Sequence, residues 1–367
     1  MSWRARLLLV VLVALACSRV LPAQSTSAIK LATVVPDGSV WDKSLKQMGT
    51  DWKAATNDRV SLTVFSGGSQ GDESTVLRKM RLNALQGASL TVVGLASIDW
   101  SFNVFNIPFF FQSYDELNDV IDKLTPVLKQ RVEAKGFVLV HWGHGGWLQI
   151  FSKQPVSSVA DLKRTKLYTS AGDDSMTQWY KANGFQPRAM AMTDVLTGLT
   201  TGMIDALPTT PLASMAFQWF KQTPYMLDLG ISPIVGATVV NKKTWDAISV
   251  ADRAKLTEIS LKVEKQLQAD VPKGDGLATL VMQNQGLKVT KGTGAEWQQL
   301  ADNLGQTMRG KMVPPDVYDM ALKERDAFRQ RKAAGTASAA PAAPAGQAKS
   351  PNSPRPSAPA QAPTQRQ

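Results

Sequence analysis

Apolar and polar positions alternate along Ile29-Lys30-Leu31-Ala32-Thr33-Val34-Val35 and stop at Pro36-Asp37-Gly38, the pattern of a strand ended by a turn. The period then changes. Trp41, Leu45, Met48, Trp52 and Ala55 recur at steps of three and four, which places them on one face of a helix. Val60-Ser61-Leu62-Thr63-Val64-Phe65 returns to the strand pattern and ends at Gly67-Gly68. A helix from about Asp72 to Leu85 follows, with Asp72 and Glu73 at its positive end. The apolar run Leu90-Thr91-Val92-Val93-Gly94-Leu95 reads as a buried strand. This β-α-β-α-β rhythm predicts a parallel sheet covered by helices.

The rhythm continues with a helix near 114–135 and a strand at Phe137-Val138-Leu139-Val140-His141-Trp142. A second set begins with a strand around Lys166-Leu167-Tyr168, then helices near 174–183 and 193–201, and a strand over 235–240 that crosses back. Residues 250–333 predict amphipathic helix, interrupted near Pro272-Lys273-Gly274 and Pro314-Pro315. The two ends differ in kind. Arg4 and Arg6 precede the apolar stretch Leu7–Ala16, and Leu21-Pro22-Ala23 resembles a cleavage site, so residues 1–23 read as an export signal too short to span a bilayer. Residues 333–367 are almost wholly small or polar and rich in Ala and Pro. Such a stretch does not repay the entropy of folding, which predicts a disordered tail.

A length of 367 residues suits two lobes, and no repeat of solenoid period is present. The formal charge of +11 overstates the basicity of the folded part. Six of the 41 basic residues (Arg4, Arg6, Arg19, Lys349, Arg355 and Arg366) lie in the two ends, so 35 stand against 30 acidic ones, a balance of +5. These cations are scattered and not interleaved with aromatics, which argues against a nucleic-acid groove. The only cysteine, Cys17, follows Ala14-Leu15-Ala16; a lipid anchor there is the alternative to cleavage after Ala23. In either form the folded part has no disulfide.

Catalytic patterns are scarce. The two histidines, His141 and His144, sit in His-Trp-Gly-His without the further donors a metal needs. His141 ends an apolar strand and reads as an interior residue, whereas His144, in a glycine loop, can reach a cleft. No nucleophile elbow or phosphate loop occurs, and Asp173-Asp174 reads as a helix start.

Several segments together resemble the solute receptors of the tripartite ATP-independent periplasmic (TRAP) transporters, dicarboxylate type. They are Pro36-Asp37-Gly38-Ser39, Ser66-Gly67-Gly68-Ser69-Gln70-Gly71-Asp72-Glu73, Asn106-Ile107-Pro108-Phe109-Phe110-Phe111 and Lys135-Gly136-Phe137. Lys153-Gln154-Pro155-Val156 running into Asp161-Leu162-Lys163 follows, then Lys166-Leu167 with Gly184-Phe185-Gln186-Pro187, and Leu199-Thr200-Thr201-Gly202-Met203-Ile204-Asp205-Ala206. The resemblance covers residues 29–245. It implies an α/β fold of two lobes with mixed sheets flanked by helices, hinged by crossing strands and a long helix. Lobe I takes 24–148 plus about 236–285, and lobe II takes 149–235 plus about 286–332. It also implies a periplasmic receptor that closes on a small organic molecule, needs no cofactor, and hands its cargo to the small and large membrane subunits of an ion-gradient-driven permease.

The chain departs from that family where relatives place cations. A Lys-Ile-Arg-like triplet usually offers an arginine to the ligand carboxylate; here the triplet is Lys166-Leu167-Tyr168. A second arginine common in the family falls at Leu148 or Gln149. A phenol offers one hydrogen bond where a guanidinium offers a bidentate fork, so an uncharged or weakly polar ligand is expected in place of a simple dicarboxylate. Candidate aromatic walls are Trp41, Trp147, Tyr168 and Trp219, and candidate polar contacts are Gln70, His144, Thr209 and Thr210. Asp205 or Asp174 would face a cationic ligand. Arg188 reads as a surface side chain. Two other readings stay open at this stage: an exported two-lobed enzyme using His144 as base, and a cell-wall protein attached by its tail.

Overall fold

The first sheet begins at β1 (Ser27–Thr33), whose inward residues Ile29 and Leu31 are fully buried. The computed structural model describes residues 26–292 and 295–339, so the export signal with Cys17, and the tail beyond 339, lie outside the described residues. Helix α1 (Val40–Ala55) is capped by Ser39, which accepts from the Asp42 amide, and its Leu45, Met48 and Trp52 turn onto the sheet. Strand β2 (Val60–Phe65) pairs parallel with β1 on one side, and β3 (Gly87–Thr91) pairs parallel with it on the other; α2 (Glu73–Arg81) connects them.

The expected strand over Leu90–Leu95 ends early. Thr91 accepts from the Val93 amide and starts a short helix, α3 (Val92–Ala96). Local capping by a threonine hydroxyl, together with Glu73 accepting from the Thr91 and Gly94 amides, outweighs the β-branched run. After α4 (Tyr114–Ala134), β4 (Phe137–Trp147) closes the sheet in the order β2-β1-β3-β10-β4. Its neighbour β10 (Pro233–Asn241) returns antiparallel from the far lobe.

The second sheet has the order β11-β9-β5-β8-β6-β7. It is assembled from β5 (Gln149–Ser152), β6 (Lys166–Ser170), β7 (Gln186–Met190), β8 (Ala206–Thr209), β9 (Tyr225–Asp228) and β11 (Lys288–Lys291). Helices α5 (Val159–Lys163), α6 (Asp174–Ala182), α7 (Val195–Thr201) and α8 (Pro211–Ala216) connect its strands. Only Leu148 separates the sheets at β4/β5, and the return passes from β9 to β10. The two passages are bonded to each other: Leu148 N donates to Ser232 O at 2.8 Å and Ile231 N to Leu148 O at 2.9 Å.

The short α9 (Lys242–Asp246) precedes α10 (Val250–Asn284), which runs 35 residues, about 50 Å. The expected break at Pro272-Lys273-Gly274 does not occur. Leu256 packs in the first lobe while Ala278 and Met282 pack in the second, so tertiary contacts on both sides carry the helix through a residue that lacks an amide proton. The chain then forms α11 (Ala295–Met308) and α12 (Pro315–Ala339).

Two expected boundaries move. Residues 315–332 do not join lobe II: Val317 and Ala321 lie in the core of the first lobe with Leu117, Ile121 and Leu128 of α4. Residues 333–339, which the sequence assigns to the tail, instead continue α12 to Ala339.

Candidate ligand-binding site

Between the lobes lie two adjoining cavities. The first, of about 190 Å³, is bounded by Thr91, Val92, Asn106 and Pro108 of the first lobe. Leu148, Ile231 and Ile234 of the crossing passages form its back, and the second lobe supplies Tyr168, Ser170, Asp173, Met176, Tyr180, Met192, Thr209, Phe217 and Trp219. The second cavity, of about 110 Å³, continues toward β1 and α1 between Val34, Trp41, Leu45, His141, His144 and Leu267. Thr91, Met192, Ala213, Phe217 and Ile234 border both, so the two form one cleft.

The register of β6 explains Tyr168. It is flanked by β7 and β8, and residues 167–169 are all buried. The phenol lies 3.1 Å from the Ser170 hydroxyl, and burial pushes it up to about 12, so it stays neutral. Trp219 stacks on Phe217 with centroids 4.4 Å apart and planes only 6° from parallel. Gln218 takes a left-handed φ of +59° between them, and this turn brings both rings to the same side. Asp173 caps α6 by accepting from the Met176 amide at 3.1 Å, and burial raises its carboxyl. No lysine or arginine among the described residues lines either cavity.

Five of the nine sequence-predicted residues reach the cleft: Tyr168, Thr209 and Trp219 at the first cavity, Trp41 and His144 at the second. The others serve the frame. Gln70 accepts from Lys79 Nζ at 3.1 Å in the turn before α2. Asp205 holds β6, accepting at Oδ2 from the Lys166 amide at 3.4 Å while its own amide donates to Lys166 O. Thr210 caps α8 and donates to Gly145 O at 2.8 Å, tying the second lobe to β4. Trp147 packs edge-on against Tyr114, with centroids 5.2 Å apart, and its amide donates to Asp275.

Of the positions where the resemblance leads one to expect arginines (168, and 148 or 149), Tyr168 and Leu148 border the first cavity. Gln149 instead turns away to accept from the Leu229 and Gly230 amides at 2.7 and 2.8 Å. Arg188 is exposed on β7, and it is Asp173, not Asp174, that borders the cavity. His141 is interior as expected, yet it also lines the second cavity. Sequence reasoning missed Phe217, Met192 and Asp173. Phe217 had a signal in Phe-Gln-Trp, whereas nothing local separates Met192 from a core methionine.

Chemically this is a binding surface. His144, the candidate base, is buried, and that burial pushes it down to about 4, far from the pKa a base needs near neutral pH. No cluster of three or more His, Cys, Asp or Glu side chains among the described residues can hold a metal ion.

The model of the DctP family, described as bacterial extracellular solute-binding protein, family 7, matches residues 31–311. The chain is 26% identical over 201 residues to the 2,3-diketo-L-gulonate-binding periplasmic protein YiaO of Escherichia coli, covering 53% of this chain and 60% of that one. It spans the same 60% of each of the first two curated relatives it matches. Its fold matches DctP7, a Bordetella pertussis extracytoplasmic solute receptor binding pyroglutamic acid, with a TM-score of 0.77 at 21% identity over 82% of this chain and 100% of that one. It also matches a TRAP periplasmic solute-binding protein from Xanthobacter autotrophicus with bound β-D-galacturonate, TM-score 0.76 at 18% identity over 81% and 99%. Two hinged lobes, a cleft between them and a family match across most of the folded chain agree: the chain belongs to family 7 of the bacterial extracellular solute-binding proteins, the DctP family.

Proposed function

We propose that this chain is the extracytoplasmic receptor of a TRAP-type importer, and that it binds an uncharged or weakly polar organic solute between its lobes and hands it to the small and large membrane subunits of an ion-gradient-driven permease. Family membership supports the receptor reading. One observation carries the ligand class: no lysine or arginine among the described residues lines the cleft, and Tyr168, at the position where the resemblance leads one to expect an arginine, borders it. The three ligands named above are carboxylic acids. Burying a carboxylate without an ion partner costs several kcal/mol, and Asp173 in the same wall adds repulsion.

Closure needs only that a ligand touch both lobes, since it then stabilises the closed form more than the open one. The test is a thermal-shift screen of neutral metabolites and organic acids against the chain. A neutral ligand at a hundredfold excess over Kd stabilises by about 2.7 kcal/mol, whereas succinate, malate and galacturonate leave the midpoint unchanged. Tight binding of a C4 dicarboxylate by the native chain would overturn the ligand class.

A further inference from the structure

The second cavity is lined by two histidines with buried ring nitrogens that no protein group satisfies among the described residues. His141 and His144 are 3% and 2% exposed and both line it. The Nε2 atom of each has no protein hydrogen-bond partner among the described residues. Around them the wall is largely apolar, with Val34, Val35, Leu45, Leu90, Phe217 and Leu267, and no Asp, Glu, Lys or Arg among the described residues borders it. Trp41 supplies a flat face and is fixed there by donating from Nε1 to His144 O at 2.7 Å.

The protonation of one ring follows from its neighbour. His141 Nδ1 lies 2.9 Å from the carbonyl oxygen of Trp142. A carbonyl only accepts, so Nδ1 carries the proton, and in a neutral ring Nε2 is left as a bare acceptor. Burial pushes both imidazoles down to about 4, so both rings are neutral near pH 7. A buried acceptor with nothing to accept from is costly, and what satisfies it is an O–H or N–H donor. Ketones, ethers and carboxylates lack one and would set lone pair against lone pair. An ammonium group has donors, but this cavity holds no carboxylate to offset its charge.

Resting on the reading of the cleft as a solute site, we propose that the second cavity is a subsite for a neutral alcohol: a hydroxyl on a largely apolar skeleton, donating to His141 Nε2, with His144 beside it and the skeleton against Trp41, Leu45 and Leu267. The solute class of this receptor is then hydroxylated and uncharged.

The chain has only two histidines, so ¹⁵N-histidine labelling of the untagged protein gives a spectrum of these two rings alone. The probes are cyclohexanol, cyclohexanone, methylcyclohexane and cyclohexanecarboxylate. Cyclohexanol moves the His141 Nε2 resonance and binds about fivefold more tightly than cyclohexanone, the worth of one hydrogen bond. His141→Phe abolishes that preference; should the variant fail to fold, the native resonance and the native alcohol-to-ketone ratio still decide. Equal binding of alcohol and ketone, or preference for the carboxylate, overturns the subsite. A metabolite that binds and closes the lobes without moving either ring signal sinks the subsite and leaves the receptor, whereas binding by no metabolite and no probe sinks both.

Discussion

At the scale of single residues, the proposed ligand class turns on a phenol at position 168 in place of a guanidinium. Tyr168→Arg is expected to raise affinity for a monocarboxylate by up to about tenfold, through one charge-assisted contact. Asp173 and Glu73 act electrostatically on this position, so they compete for the new cation. Calorimetry should therefore show a larger gain when Asp173→Asn is added, and no gain in either variant would mean that position 168 does not meet the ligand. Tyr168 was legible because a family motif marked its place. Phe217 and Met192 were not, because a cleft wall and a core wall use the same side chains.

The buried imidazoles also bear on stability. The ordinary pKa of His144 is 6.5 and its folded value about 4. Between the two the unfolded chain holds a proton that the folded one refuses, so stability is full above pH 6.5 and declines as pH falls toward 4. His144→Leu removes one proton from that balance. The slope of unfolding free energy against pH in this window should become shallower by up to about 1.4 kcal/mol per pH unit, as urea titrations at stepped pH would show. An unchanged slope would mean that His144 titrates normally.

Among elements, α10 packs on both lobes, whereas α12 is fastened to the first. Asp275 of α10 accepts from Trp147 N at the end of β4 and from Leu212 N in α8, each at 3.0 Å, with the Tyr114 hydroxyl at 3.5 Å. Asp275→Ala strands two part-buried amides and should cost about 2–4 kcal/mol in chemical denaturation; a cost below 0.5 kcal/mol would show that water replaces the carboxylate. Burial pushes Asp275 up to about 6 from 3.8. Its own contribution therefore runs opposite to that of His144, present at low pH and lost as pH rises through 6.

Arg329 of α12 forms a two-pronged contact with Glu116 of α4 at 2.8 and 3.0 Å and also donates to Phe110 O. Glu116 is buried, whereas the arginine is about one-third exposed at 32%. Arg329→Ala should thus cost about 1–3 kcal/mol, below the full penalty for stranding a buried charge. A thermal midpoint equal to the native one would contradict that pairing. Periodicity gave most strands and helices correctly, because their faces are buried against one core. It failed at α3, where a threonine cap outweighs β propensity, and at Pro272, where packing on two lobes outweighs the missing bond.

For the molecule as a whole, two lobes, two sheets and a cleft followed from motif order, while the last helix could not be placed from sequence. Nothing in the composition of 315–339 says which lobe it covers; the packing of Val317 and Ala321 and the Arg329–Glu116 pair beside α4 do. If closure is the working motion, a ligand that binds should reduce the radius of gyration in X-ray scattering. Affinity without any compaction would indicate a pocket that is already shut.

Pro272 is interior to α10, three residues before Asp275 and between the stretch that packs on one lobe and the stretch that packs on the other. With no proton on its nitrogen, the carbonyl of Gln268 loses its regular helical rung at that point. A rod spanning two bodies flexes when they part, and here one rung between the two packed stretches is already missing. A bend placed at Pro272 therefore breaks no backbone hydrogen bond between that nitrogen and Gln268 as the lobes separate.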